Sequence, residues 1–178
     1  MFRLWLGRAL MVWGALTLIG GGILAGYVAL RIGPGDVARV DHATPHDVRF
    51  VLNWCELGES RIKRVVHSHM SPRNITGDHL DAYAIEISNI EPHELKKKGP
   101  YHRWYRGDEV PPVLNDAIEF VGGWLHEIPW FPPDTELRTD DYYVYPWAIE
   151  IHGVKPTAAQ LIFIRPSDRM VFYFSGKT

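Results

Sequence analysis

Residues 9–30 read ALMVWGALTLIGGGILAGYVAL and carry no charge. A helix rises 1.5 Å per residue, so this stretch reaches roughly 33 Å as a helix, enough for a bilayer core. No other segment restricts the chain as strongly. Arg3 and Arg8 precede the run, and no acidic residue occurs before Asp36. Positive charge on that flank predicts residues 1–8 as a short cytoplasmic tail, 9–30 as a transmembrane signal anchor, and the rest outside the cytoplasm. The predicted location is a cell inner membrane, single-pass, with the C-terminal domain in a periplasm or outside. A cleaved signal peptide is the competing reading. Its apolar region would be shorter and would end in a small-x-small site, whereas Gly20-Gly21-Gly22 sits mid-run and Ile23-Leu24-Ala25 is a poor cleavage site. Gly22 and Gly26 form a small-xxx-small pair, which predicts close helix packing and a homodimer through this helix. Trp5, Trp13 and Tyr27 suit interfacial positions.

Beyond the run the chain reads as one water-soluble domain. Residues 31–43 read as a linker, with Gly33-Pro34-Gly35 ending the helix, and 44–178 as the domain. Setting Arg3 and Arg8 aside leaves 17 basic residues against 21 acidic ones, a formal charge of −4. That is no footprint for nucleic acid. A single cysteine, Cys55, excludes an intramolecular disulfide and reads as a small core residue.

The periodicities predict an α+β domain. Thr44 is placed to cap a helix over Pro45 to Leu57, whose Val48, Val51, Leu52 and Cys55 share one face. Arg61 to Met70 and His79 to Asn89 read as a hairpin with a long loop. A short helical piece covers Pro92 to Lys98, and Lys96-Lys97-Lys98 reads as its solvated end. A second helix begins near Pro111-Pro112 with Leu114, Ala117, Ile118, Val121 and Leu125 inward. Tyr142 to His152, Gln160 to Arg165 and Met170 to Ser175 are strand-like. The expected architecture is α-β-β-α-α-β-β-β, an antiparallel sheet of about five strands with one face on two main helices.

Chemistry-bearing residues form one tight group. His67 and His69 alternate on one predicted strand, and His79 and Asp81 on its partner. If His69 faces His79, then His67 faces Asp81, and three imidazoles and a carboxylate share a patch suited to zinc or a similar divalent ion. A slip of one residue would send the pairs to opposite faces. His42 and His46 would join only by folding back. Ser68, Ser71 and Cys55 are possible nucleophiles, but none sits in a strand-turn-helix elbow. Glu86, Asp108, Glu109, Glu119 and Glu127 offer carboxylates without a spacing that selects a pair. There is no phosphate-binding loop and no dinucleotide fingerprint. Arg106-Gly107-Asp108 spells an adhesion tripeptide and reads as coincidence; Asn74-Ile75-Thr76 spells a glycosylation sequon.

The surface that best suits a partner is aromatic. Tyr101, Trp104, Tyr105, Trp130 and Phe131, interleaved with Arg103 and Arg106, fall in connections rather than periodic elements. Such residues carry interface energy. Alternatively these loops fold back on their own aromatics. The sequence thus predicts a membrane-anchored extracytoplasmic binding protein without a cofactor. An accessory subunit of an envelope complex or an immunity-type inhibitor would fit. The alternative is a metal-dependent envelope hydrolase on the histidine patch.

Overall fold

The computed structural model describes residues 2–31, 38–73, 77–96 and 103–178, with the side chains of 11 and 13–27 in the first helix and every later one but 96. The Gly33-Pro34-Gly35 break, the sequon at Asn74, Lys97-Lys98, the Gly99-Pro100 stop and Tyr101 lie outside the described residues. The chain divides into two compact units, Met1–Val37 and Ala38–Thr178.

In the first unit, α1 runs Phe2–Arg31. Met11, Trp13, Leu16, Leu18, Ile19, Ile23 and Leu24 are exposed on it. A Cβ added at Gly22 or Gly26 would meet no atom within 4 Å. Among the described residues, no helix is long and apolar enough to cross a membrane. Gly14, Gly20, Gly21, Gly22 and Gly26 dilute the apolar character of its described stretch. The predicted transmembrane span, and with it the single-pass inner-membrane location, is corrected accordingly.

The second unit is α+β, built on one antiparallel sheet of seven strands rather than about five. After β1 (Arg39–Val40) comes α2 (Pro45–Trp54), then β2 (Ile62–Met70), β3 (His79–Ile87) and β4 (Tyr105–Arg106). Next are α3 (Pro112–Gly122), α4 (Asp134–Leu137), β5 (Tyr143–His152), β6 (Lys155–Arg165) and β7 (Met170–Lys177). The spatial order is β1-β2-β3-β7-β6-β5-β4. The two strands that escape sequence reading are the edges, each of two residues. Neither is long enough to show a period of two.

The helices do not share one face of the sheet, as the sequence led us to expect. Val48, Val51 and Leu52 of α2 pack with Tyr83, Ile85, Ile162, Ile164, Val171 and Tyr173. On the other face, Leu114, Ala117, Ile118 and Val121 of α3 and Leu137 of α4 pack with Ala82, Ala84, Leu161, Phe163, Phe172 and Phe174. Successive strand residues point to opposite sides, so the unbroken apolar runs of β6 and β7 fit a sheet covered on both faces.

Local chemistry sets the ends of α2. The Asp47 carboxylate accepts the Thr44 backbone N–H at 2.8 Å and its hydroxyl at 2.7 Å, which fixes the first turn. The helix stops at Trp54, short of the expected Leu57, because Glu56 turns into the left-handed region at φ 61°. The N–H groups of Leu57 and Gly58 then fold back onto the Leu52 carbonyl.

Candidate functional site

The observed register decides the fate of the histidine patch. Met70 lies opposite Asp81, His69 opposite Ala82 and His67 opposite Ala84. This is three residues away from the register that pairs His69 with His79 and His67 with Asp81, and an odd shift puts the two pairs on opposite faces. His67 and His69 therefore face α3, while His79 and Asp81 face α2. Each side chain has its own local neighbour. His67 stacks on Trp130 with ring centroids 5.3 Å apart, and its Nδ1 is 3.5 Å from the Asp41 carboxylate. His79 Nδ1 donates to the Gly77 carbonyl at 2.8 Å, so Nε2 accepts the Ser175 hydroxyl at 3.0 Å. Asp81 accepts Arg73 at 2.7 Å. Among the described residues, no group of three or more His, Cys, Asp or Glu side chains is placed to hold a metal ion.

The aromatic residues of the connections are likewise divided between the faces. Phe131 is 3% exposed and lies edge-on to Phe163, Phe172 and Phe174. Trp130 leans on Phe131 and His67. Trp104 packs on the α2 side, 5.2 Å from the Tyr145 ring. Tyr105 joins the α3 side with the Arg103 guanidinium 4.4 Å above its ring. Arg106 grips both oxygens of Asp108 at 2.6 and 2.7 Å. Through that hydrogen-bonded pair it holds the Asp108 carboxyl below its ordinary value. The tripeptide is a clasp: Gly107 is buried, and its N–H donates to the Tyr142 carbonyl at 2.8 Å.

A concave site lies elsewhere. On α3, Asp116 and Glu119 are turned to solvent and half-buried Phe120 packs at the edge of the core, followed by Gly123 at helical spacing. The chain then turns through Trp124, His126 and Glu127. Opposite them stands the tip of the β5–β6 hairpin, where Gly153 adopts φ 70° and presents Val154, 88% exposed, with Lys155 and Pro156. Together with Thr178 these residues line an open pocket of about 590 Å³. Phe120 and Trp124 meet edge to face at 6.2 Å. The indole can come this close to β7 because residue 176 is glycine: a Cβ there would lie 2.6 Å from the Phe174 ring and 3.4 Å from Trp124 Nε1.

Glu127 is the pivot of the electrostatics. His126 Nδ1 donates to the Gly123 carbonyl at 3.1 Å, which leaves its Nε2 facing Glu127 Oε1 at 3.7 Å. From the sheet, His69 brings Nε2 to 3.9 Å from Glu127 Oε2. His69 is 7% exposed, and that nitrogen is buried without a hydrogen-bond partner among the described residues. Two imidazoles thus flank one carboxylate at the pocket wall. Their separations exceed hydrogen-bond length, so neutral imidazoles leave the Glu127 charge uncompensated by either ring.

Sequence reasoning reached Glu119 and Glu127 as loose carboxylates and His69 as part of another patch. It missed Asp116, Phe120, Trp124 and His126. One signal was available: Phe120 interrupts a polar helix face four residues after Asp116.

No protein-family model, no curated protein and no solved structure matches this chain. The functional reading rests on the site alone.

Proposed function

We propose that the chain is a binding protein and that its α+β domain engages a protein partner through the pocket between α3 and the β5–β6 tip. The observation that carries this reading is the preformed hollow itself: an aromatic floor of Phe120 and Trp124 rimmed by Asp116, Glu119 and Glu127. Recognition sites combine an apolar surface with a few convergent polar groups in this way. A role as an accessory subunit or as an inhibitor that occupies its target fits such a surface. Tyr105, Trp130 and Phe131 support the site indirectly, by packing in the core on which α3 rests. The register that separates His67 and His69 from His79 and Asp81 gives a metal-dependent hydrolase no support from that patch.

The test is site-directed crosslinking of the full chain in its producing cells. Photo-reactive p-benzoylphenylalanine is placed at Val154, and in parallel at exposed Arg49 on α2 as a control. The reading expects discrete protein adducts at Val154 and none at Arg49. Equal labelling at both positions, or none at Val154, would overturn it.

A further inference from the structure

Resting on that reading, we propose that the pocket takes an arginine side chain from a segment of the partner, with the guanidinium stacked on Trp124 and forked onto the rim carboxylates. The charge balance of the lining points this way. Asp116, Glu119 and Glu127 oppose one cation, Lys155, which sits across the pocket on the hairpin. An incoming group must therefore carry positive charge and also tolerate an aromatic floor. Guanidinium meets both demands better than ammonium, being planar, weakly hydrated and suited to stacking on indole. Its donors form a fixed fork that matches carboxylates in pairs.

A second observation, independent of the acidic rim, concerns His69. Its buried Nε2 has no hydrogen-bond partner among the described residues and is 3.9 Å from Glu127 Oε2. A buried nitrogen of that kind is costly unless a neighbouring group completes it. A guanidinium docked on Glu127 pairs the carboxylate that neither imidazole reaches at hydrogen-bond length. The groups facing Glu127 are His69 from β2 and His126 from its own turn. The other charges at the pocket are Asp116, Glu119 and Lys155. His67, next along β2, is turned to Asp41 and Trp130.

The experiment titrates the full chain with three capped tripeptides, acetyl-Gly-X-Gly-amide, where X is arginine, lysine or citrulline. Binding is followed through the Trp124 indole N–H resonance, assigned by Trp124→Phe. We expect saturable shifts with arginine at neutral pH, and affinity about tenfold lower for citrulline, which keeps the shape and loses the charge. Glu119→Gln and Glu127→Gln, both on exposed carboxylates, should each weaken arginine binding by about the same factor. Equal affinity for arginine and citrulline would overturn the proposal, as would lysine binding as well as arginine or a resonance that no peptide moves. Val154 adducts together with no arginine preference would leave the binding module standing and remove the guanidinium. Loss of both would remove both.

Discussion

Gly107→Ala is the sharpest test of how the Arg106-Gly107-Asp108 stretch functions. The backbone at Gly107 lies against the end of α4 so closely that an added Cβ would fall under 3.0 Å from the carbonyl oxygens of Leu137 and Thr139 and 3.1 Å from the Thr139 nitrogen. These are backbone atoms, and ordinary contact begins at 3.4 Å. Close-packed interiors have no slack to absorb the difference, so the β4 edge must retreat by about 1 Å. Overpacking of this kind costs about 1–3 kcal/mol. The retreat also stretches the 2.8 Å hydrogen bond from the Gly107 N–H to the Tyr142 carbonyl, worth about 1 kcal/mol. The sum is about 2–4 kcal/mol, which for a domain of this size lowers Tm by about 10 °C. Thermal unfolding of the full chain followed by near-ultraviolet circular dichroism reads this directly. Gly153→Ala is the control. It forces a side chain into positive φ, which Gly107 does not have, but nothing lies within 4 Å of the new Cβ, so only a strain of about 1 kcal/mol remains. A Gly107→Ala protein melting within about 2 °C of wild type would refute the close approach, and with it the reading of the tripeptide as a structural clasp.

Two further outcomes bear on the core and on pH. Phe131→Ala should destabilise the domain by about 3–5 kcal/mol in urea titrations, because the ring is buried edge-on among Phe163, Phe172 and Phe174. A stability loss under about 1 kcal/mol would instead make it a surface anchor. Asp47 is held below its ordinary value of 3.8, first by the hydroxyl of Thr44 and then by its backbone N–H. A carboxyl depressed on folding contributes stability that is complete above its unfolded value and lost as pH falls through the lower folded value. Asp47→Asn should therefore flatten the urea-midpoint profile below about pH 4; identical acid limbs for the two proteins would remove the cap from the account of α2.

Much of the domain was legible because its elements announce themselves locally. The apolar spacing of Val48, Val51 and Leu52, the proline at the start of α2, and the alternation of Tyr83, Ile85 and Ile87 each fix one element with few neighbours involved. Layering was not legible in the same way. Phe172, Tyr173 and Phe174 are all apolar, and such a run is compatible with either a buried strand or a packed helix until its partners are known. The histidine patch turned on register, which β-bulges between Ile62 and Arg64 and between Val65 and His67 help to set. Bulges leave no trace in residue type here, since neither involves glycine. The pocket joins a helix face to a hairpin tip more than thirty residues further along, a juxtaposition made by the sheet order rather than by any local pattern.

That sheet order has a consequence for how the domain is made. β7 is hydrogen-bonded to β3 on one side and to β6 on the other, and among the described residues it alone joins the β1-β2-β3 half to the β6-β5-β4 half. During synthesis, residues 38–96 can form a hairpin with α2 on one side, but its outer edge stays open until Met170–Lys177 emerges from the ribosome. At about 5–20 residues per second, that edge waits several seconds for its partner. An unpaired strand carrying Leu80, Ala82 and Ala84 on one side and Tyr83 and Ile85 on the other is a template for wrong pairing in that interval. The nascent chain is therefore most dependent on chaperones just before its last strand appears, and slowing elongation over residues 97–169 should lower the soluble yield more than slowing it earlier.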